Sequence, residues 1–171
     1  NSFDGLKYQK ITENIDAFSN ELRETYPSMS DYELGKAVLM SLGDSEEFIE
    51  TLPREKVVEA LEYTSAIQEE IYLHESASGE LKAISKELFY STDTATNAAQ
   101  SDIPFEQNFG EIILRSSAFR RYPSYSLTDR NYYTIRGEIE WVGYANCKFK
   151  DLLAISSTGN IDNQYSHYAN G

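Results

Sequence analysis

The sequence is poor in the residues from which many catalytic and metal sites are built. Its 171 residues include one cysteine and two histidines, which excludes an intrachain disulfide and zinc sites that need several Cys or His ligands. No apolar run approaches the roughly 20 residues of a membrane-spanning helix. Glycine-rich phosphate-binding motifs and the Gly-x-Ser-x-Gly nucleophile turn are missing as well. We therefore expect no cofactor and no transmembrane segment.

Basic side chains are outnumbered, 15 against 28 acidic ones, which gives a formal net charge of −13. A nucleic-acid interface needs clustered Lys and Arg, so we expect no nucleic-acid partner. Most of the imbalance lies in residues 1–91, with 19 acidic and 8 basic side chains. Because these acids are interspersed around the predicted helices, we expect most of the charge to serve solubility. The alternative is that this negative charge attracts a basic partner.

The first part of the chain predicts four short helices. The first runs from about Thr12 to Tyr26 and is ended by Pro27. Its spacing places four apolar side chains on one inward face: Ile15, Phe18, Leu22 and Tyr26.

Helix boundaries are marked by capping residues in the next segment. Ser30 and Glu33 form the pattern of a capping box, and Gly43 stands where a left-handed C-terminal cap is expected. The second helix then turns Leu34, Val38 and Leu42 inward. A third helix is predicted around residues 45–50, and Pro53 fits the start of a fourth.

Residues 64–89 allow two interpretations. The apolar residues Ile67 and Ile71 could continue the fourth helix. Alternatively, residues 70–74 form a strand that turns at the Ser-Gly-rich segment 76–79 and returns through residues 81–84. The alternation of Ile71 and Leu73 favours the hairpin, and residues 85–88 then form one more helical turn.

The remainder of the chain predicts β-structure. Residues 132–142 alternate, with Tyr133, Ile135, Gly137, Ile139 and Trp141 on a face that we expect to be buried. Residues 111–119 and 152–157 are further strand candidates. The predicted fold class is α+β, an N-terminal helical region of about four short helices followed by an antiparallel, sandwich-like sheet that is either complete or incomplete in this chain. The predicted domains are an acidic helical region at 1–90, a linker or long loop at 91–108 and an antiparallel β region at 109–171.

Two segments resemble uncharacterised secreted proteins of Gram-positive bacteria. The first runs from Ser30 through the Leu-Gly-Asp-Ser-Glu-Glu-Phe motif at 42–48 to Glu62-Tyr63. The second joins Glu140-Trp141-Val142 to Lys150-Asp151-Leu152. The resemblance implies export and a β continuation, and it supplies no activity. The chain begins with Asn1 rather than Met, and we expect a secreted or cell-wall-associated protein whose signal peptide has been removed.

Candidate catalytic groups are few, and each has a simpler structural interpretation. Cys147 and His167, with Asp151 or Asp162, form the one conceivable thiol triad, but a lone cysteine is more often a half-buried apolar residue. The polar run Asn160, Asp162 and Asn163 lacks the order of a calcium loop. Glu138 and Glu140 are expected about 7 Å apart on one strand face, a separation that a glycosidase pair can have, but a salt-bridged surface is the preferred interpretation. We therefore assign no catalytic, cofactor-binding or metal-binding residue.

Tyrosine is the one chemically distinctive residue type in the second half of the chain. Tyrosine combines a large contact area with a polar tip, which suits recognition of a protein or a glycan, although it is also a good strand residue. The candidate recognition aromatics are Tyr122, Tyr125, Tyr132, Tyr144, Tyr165 and Tyr168. We expect a non-enzymatic interaction or structural module. The alternatives are a fragment of an extracellular hydrolase acting on peptide or glycan, and an inhibitor or pro-segment with acidic helices.

Overall fold

The computed structural model describes residues 6–75, 80–90, 111–122 and 132–142. The fold is α+β, as predicted, with short helices and a five-stranded antiparallel sheet. The strands are β1 (Lys7–Thr12), β2 (Tyr63–Glu75), β3 (Leu81–Ile84), β4 (Glu111–Arg121) and β5 (Tyr132–Val142). The helices between β1 and β2 are α1 (Ile15–Thr25), α2 (Asp31–Ser41), α3 (Glu46–Thr51) and α4 (Arg54–Glu59), followed by a 3-10 turn over Ala60–Glu62.

The sheet has the order β1-β2-β4-β5, and β3 pairs with β2. Strands β2 and β3 are antiparallel, with Tyr72 opposite Ile84 and Glu75 opposite Leu81. This pairing confirms the predicted hairpin, whose turn residues 76–79 lie outside the described residues. A continued helix at this point is wrong, because β2 begins at Tyr63. The predicted helical turn follows β3 as a short helix over residues 86–90.

Local capping signals set the ends of α2 as predicted. The Ser30 hydroxyl accepts a hydrogen bond from the Glu33 backbone N–H at 3.3 Å, and the Glu33 carboxylate accepts one from the Ser30 N–H at 2.8 Å. These reciprocal bonds satisfy two N–H groups that the helix itself cannot pair. At the other end Gly43 has φ +101°, and the Asp44 N–H reaches the Leu39 carbonyl at 3.1 Å. The bond from the Gly43 N–H to the Met40 carbonyl completes a Schellman motif.

Helix α1 departs from the predicted inward face. Ile15 is buried and Leu22 packs partly against the core, but Phe18 and Tyr26 are exposed. The small side chain of Ser19 is buried in their place. The buried stripe is therefore rotated toward Ser19 because α1 packs against α2, a tertiary contact that periodicity does not encode.

The chain divides into two compact units, and each takes residues from both halves of the sequence. One comprises residues 11–67, 118–134 and 156–171, and the other comprises 1–10, 68–117 and 135–155. Three of the five strands come from the first ninety residues. The predicted boundaries at 90 and 109 stay a prediction, and the linker at 91–108 lies outside the described residues.

The unit containing the helices is built around one apolar cluster. Its buried members are Ile15, Val38, Leu39, Leu42, Ile49, Val57, Ala60, Tyr63, Ala66 and Phe119. The rings of Tyr63 and Phe119 stack with centroids 4.6 Å apart. Helix α2 crosses α4 closely at Gly35, where an added Cβ would lie 2.2 Å from the Val57 carbonyl oxygen. Only glycine permits this approach.

The other unit has a smaller, aromatic core. Tyr72, Phe89 and Ile113 are its buried members, and Tyr8, Ile84 and Val142 pack against them. The Tyr72 ring meets Tyr8 and Phe89 edge to face, at centroid distances of 5.7 and 5.0 Å. These arrangements are favoured by the quadrupoles of the rings.

The expectation that β5 buries its apolar face is wrong at Tyr133 and Ile135, whereas Gly137 and Ile139 on the same face are partly buried and the side chain of Trp141 lies outside the described part. Tyr133 and Ile135 are exposed, whereas Thr134 and Arg136 on the other face are partly buried. The physical reason is visible at Thr134, whose hydroxyl donates a hydrogen bond to the Glu59 carboxylate of α4. The helices thus cover the polar face of β5 at this point.

Candidate functional site

Large apolar side chains are exposed on the sheet face that the helices leave uncovered. Ala66 of β2 is buried in the helical core, whereas the next residue, Ile67, is exposed. Thr134 bonds to α4, so its neighbour Tyr133 on β5 points away from the helices. Ile67 is 45% exposed and Tyr133 is 55% exposed.

Two more exposed apolar side chains lie on β1 and directly after β4. Arg121 contacts the helical side, and the following residue, Tyr122, is 69% exposed. Ile11 of β1 is 58% exposed beside the partly buried Thr12. All of these residues belong to the unit that contains the helices. We call Ile11, Ile67, Tyr122 and Tyr133 the Tyr–Ile patch.

A half-buried charge network fixes the strand ends that carry the two tyrosines of the patch. The Arg121 guanidinium lies 2.7 Å from the Glu62 carboxylate and 3.5 Å from that of Glu59. Glu59 also accepts the Thr134 hydroxyl at 2.5 Å and pairs with Lys56 at 3.1 Å. The backbone N–H of Tyr122 donates to the Glu62 carbonyl at 2.9 Å. Since each group has a partner within the fold, this network positions the tyrosines rather than offering a charged site of its own.

A second polar cluster surrounds Tyr72 in the other unit. The buried Tyr72 hydroxyl donates a hydrogen bond to the Glu70 carboxylate. Burial, reinforced by this bond to a carboxylate, raises the pKa of Tyr72 far above its ordinary value. Arg115 lies 3.8 Å from Glu70 and 2.5 Å from Glu140. A phenol held protonated in this way is a hydrogen-bond donor that anchors Glu70, and it cannot serve as a base near neutral pH.

The short helix over residues 86–90 is attached to the sheet through Tyr8. The Tyr8 hydroxyl accepts a hydrogen bond from the Lys86 backbone N–H at 2.9 Å and donates one to the Glu87 carboxylate at 3.2 Å. The Lys86 ammonium lies 5.7 Å from the centroid of the Tyr72 ring. These contacts have a structural role, because the Tyr8 hydroxyl, the Lys86 N–H and the Glu87 carboxylate bind one another.

The candidate glycosidase pair consists of two carboxylates that are each neutralised. Glu138 lies 3.2 Å from Arg136, and Glu140 lies 2.5 Å from Arg115. The preferred interpretation of this strand face as a salt-bridged surface is therefore confirmed.

Of the candidate recognition aromatics, Tyr122 and Tyr132 lie within the described residues. Tyr122 is exposed and belongs to the patch, whereas Tyr132 is partly buried. Tyr125, Tyr144, Tyr165 and Tyr168 lie outside the described residues, and so do Cys147, His167 and the polar run at 160–163. Sequence reasoning missed Tyr133 and Ile67 as surface residues. Their exposure depends on which sheet face the helices cover, and alternation alone does not decide this.

Among the described residues, no group of three or more His, Cys, Asp and Glu side chains is placed to hold a metal ion. The helices in this part of the chain are all too short or too polar to cross a bilayer. No family model matches the chain, and neither a curated protein nor a solved structure does.

Proposed function

We propose that the protein is a non-enzymatic interaction module, secreted or associated with the cell wall, that binds a partner protein through the Tyr–Ile patch. The observation that carries the proposal is the exposure of four large apolar side chains on the uncovered sheet face. Contiguous apolar surface of a few hundred Å2 on a soluble protein commonly marks an interaction site. The location is proposed on the resemblance of two short segments to secreted proteins of Gram-positive bacteria.

A protein partner fits the patch better than a glycan. Glycan sites combine flat aromatic rings with polar groups that hydrogen-bond to sugar hydroxyls. The patch instead mixes two tyrosines with two isoleucines, whose branched aliphatic surface suits the apolar core of a protein interface. Tyrosine is also among the residues that contribute most to such interfaces.

The proposal is tested by retention of partners on the immobilised protein. Wild-type protein and the double variant Ile67→Ser/Tyr133→Ser are exposed to cell-wall extract and culture fluid of the source cells. We expect a defined protein to be retained by the wild type and lost by the double variant. Met40→Ser is the matched control, because Met40 is exposed on α2 and lies outside the patch.

Circular dichroism and thermal unfolding must first show that all three proteins are folded. Equal retention by the wild type and the patch variant would contradict the proposal. The proposed location is tested separately, by fractionation of the source cells, which should recover the protein in the medium or in the cell wall. Recovery in the cytoplasm would contradict export while leaving the binding surface open to the same test.

A further inference from the structure

The carboxylate of Glu59 at the end of α4 contacts two different strands with its two oxygens. Its Oε1 accepts the hydrogen bond from the Thr134 hydroxyl of β5 at 2.5 Å. Its Oε2 lies 3.5 Å from the Arg121 guanidinium of β4 and 3.1 Å from the Lys56 ammonium of α4 itself. Because a carboxylate is planar and its two oxygens move together, the contact with one strand is tied to the contact with the other.

Both of these contacts are made next to a tyrosine of the Tyr–Ile patch. Tyr122 directly follows Arg121, and Tyr133 directly precedes Thr134. Since Arg121 and Thr134 contact the same carboxylate, the end of β4 lies close to the start of β5. Glu59 therefore connects the two strand ends from which the tyrosines project.

The end of β4 has a second attachment, to Glu62. The Glu62 carboxylate binds the β4 guanidinium at 2.7 Å, and its backbone carbonyl accepts a hydrogen bond from the Tyr122 N–H at 2.9 Å. The start of β5 is attached to α4 by the hydrogen bond from Thr134 to Glu59. We therefore expect loss of the Glu59 carboxylate to affect Tyr133 more than Tyr122.

The hydrogen bond between Thr134 and Glu59 is largely shielded from water. The side chain of Glu59 is 12% exposed, and a hydrogen bond to a charged acceptor is stronger in such surroundings than at the open surface. The ends of elements otherwise open locally at a low cost in free energy. Because successive side chains of a strand leave in opposite directions, holding Thr134 against α4 also fixes the direction in which Tyr133 projects.

We infer that Glu59 is a positioning residue of the Tyr–Ile patch, which acts through Thr134 to hold Tyr133 in a fixed position relative to Tyr122. This inference rests on the proposed function, since it concerns how the same surface is kept ready for its partner. A side chain that is ordered before binding gives a tighter complex than a mobile one, because less conformational entropy is lost on association.

Fluorine NMR of the full chain labelled with fluorotyrosine measures the motion of the individual tyrosine rings. The resonances of the two patch tyrosines are assigned with Tyr122→Phe and Tyr133→Phe. In Glu59→Ala we expect the transverse relaxation rate of Tyr133 to fall, because the ring becomes more mobile, while that of Tyr122 changes less. Glu59→Gln retains an oxygen that can accept the hydrogen bond, and it should give a relaxation rate closer to that of the wild type.

A double-variant cycle shows whether Glu59 acts through Thr134. Thr134→Val removes the hydroxyl and should lower the relaxation rate of Tyr133 as Glu59→Ala does, whereas Thr134→Ser retains the hydroxyl and should not. The double variant Glu59→Ala/Thr134→Val should add little to either single change, because both substitutions remove the same bond. If Glu59→Ala does not fold, Thr134→Val and Thr134→Ser decide the outcome.

Glu46→Ala is the matched control for a loss of stability without a change at the strands. It removes the ion pair between Glu46 and Lys36, which joins α3 to α2, and it should leave the relaxation rate of Tyr133 unchanged. The inference is overturned if Tyr133 relaxes as in the wild type when the hydrogen bond is removed. Additive effects of Glu59→Ala and Thr134→Val would also overturn it.

The spectra need no partner, so the inference and the proposed function fail on different results. In the retention experiment Thr134→Val should retain about two- to tenfold less of the partner than the wild type, because the freed ring must be ordered on binding. Full retention by Thr134→Val would overturn the inference and leave the proposed function standing. Equal retention by the wild type and Ile67→Ser/Tyr133→Ser would instead contradict the proposed function.

Discussion

The hydroxyl group of Tyr72 illustrates how one buried polar atom is accommodated at the residue scale. Its ring is in the aromatic core, and its oxygen reaches the carboxylate of Glu70 two residues earlier on the same face of β2. Burial alone would penalise the hydroxyl, but a charged acceptor repays much of that cost. The same surroundings oppose loss of the proton, because a phenolate would be buried beside a carboxylate.

Tyr72→Phe should therefore lower the free energy of unfolding by about 0.5–1.5 kcal/mol at neutral pH, measured by urea denaturation. The pKa of Tyr72 is raised in the folded state, so its contribution is fully present below the unfolded value near 10 and is lost as pH rises above it. Wild type and variant should converge in stability in that alkaline range. A difference that grows with pH would contradict the assignment.

Gly35 shows at the element scale how a residue that weakens a helix can stabilise the packing of two helices. Glycine in a helix interior costs about 1 kcal/mol relative to alanine. Here the missing Cβ leaves room for the Val57 carbonyl of α4. The close crossing of α2 and α4 depends on that absence.

Gly35→Ala should destabilise the protein by about 1–3 kcal/mol through overpacking, although propensity alone predicts a gain. Thermal and urea unfolding measure the change. Met40→Ala on the exposed side of the same helix is the control, and it should change stability by less than about 0.5 kcal/mol. A stabilised Gly35→Ala variant would show that the two helices have room to separate.

Arg121 connects elements that are distant in sequence, since its partners Glu59 and Glu62 lie about sixty residues earlier. The side chains of Arg121 and Glu59 are 17% and 12% exposed. Arg121→Ala should cost about 2–3 kcal/mol, because it leaves half-buried carboxylates without their cation, with some relief from solvent. Lys82→Ala, which removes an exposed pair with Glu80, should cost less than about 0.5 kcal/mol.

Arg121→Lys distinguishes charge from geometry in the same experiment. A lysine retains the charge but cannot present the planar fork that reaches both carboxylates. Its stability should therefore lie between those of the wild type and Arg121→Ala. Equal losses of stability for Arg121→Ala and Lys82→Ala would show that the ion pairs of Arg121 with Glu59 and Glu62 contribute no more than an exposed surface pair.

The features that the sequence predicts correctly are those set by neighbouring residues. The Ser30 capping box, the Gly43 cap and the hairpin of β2 and β3 all depend on signals within a few positions. Strand β1 was missed because its residues Lys7–Thr12 are mostly polar, and its place is set by pairing with β2, more than fifty residues later. The burial of Tyr133 and Ile135 on β5 was predicted wrongly for the same reason.

In the candidate site, too, the sequence predicts only what a local signal indicates. Tyr122 could be singled out by composition, since exposed tyrosine is typical of recognition surfaces. Ile67 and Tyr133 could not, because an isoleucine or a tyrosine in an alternating strand ordinarily indicates the core. Only the position of the helices, fixed at Ala66 and Thr134, shows that their neighbours face outward.

At the scale of the whole molecule, the formal charge of −13 has a measurable effect on stability. Repulsion among the excess acids opposes the compact state, and salt screens it. Raising NaCl from about 0.05 to 0.5 M should therefore increase the melting temperature by about 2–4 °C, which corresponds to roughly 1 kcal/mol for a chain of this size. Scanning calorimetry measures the shift.

A variant with less negative charge is the control for that prediction. Glu21→Lys/Glu47→Lys replaces two exposed helical carboxylates and should show a smaller increase with salt. A melting temperature that falls with salt in the wild type would mean that favourable ion pairs outweigh the repulsion.

The interleaving of the two units has a consequence for the order in which the chain is synthesised. Each unit takes residues both from before position 91 and from after position 110. A nascent chain that has emerged only as far as the short helix at 86–90 already contains every residue of α1–α4, but it lacks Phe119, which their core requires. We therefore expect stable folding to wait until β4 has left the ribosome, and we expect the acidity of the early segment to keep it soluble during that interval.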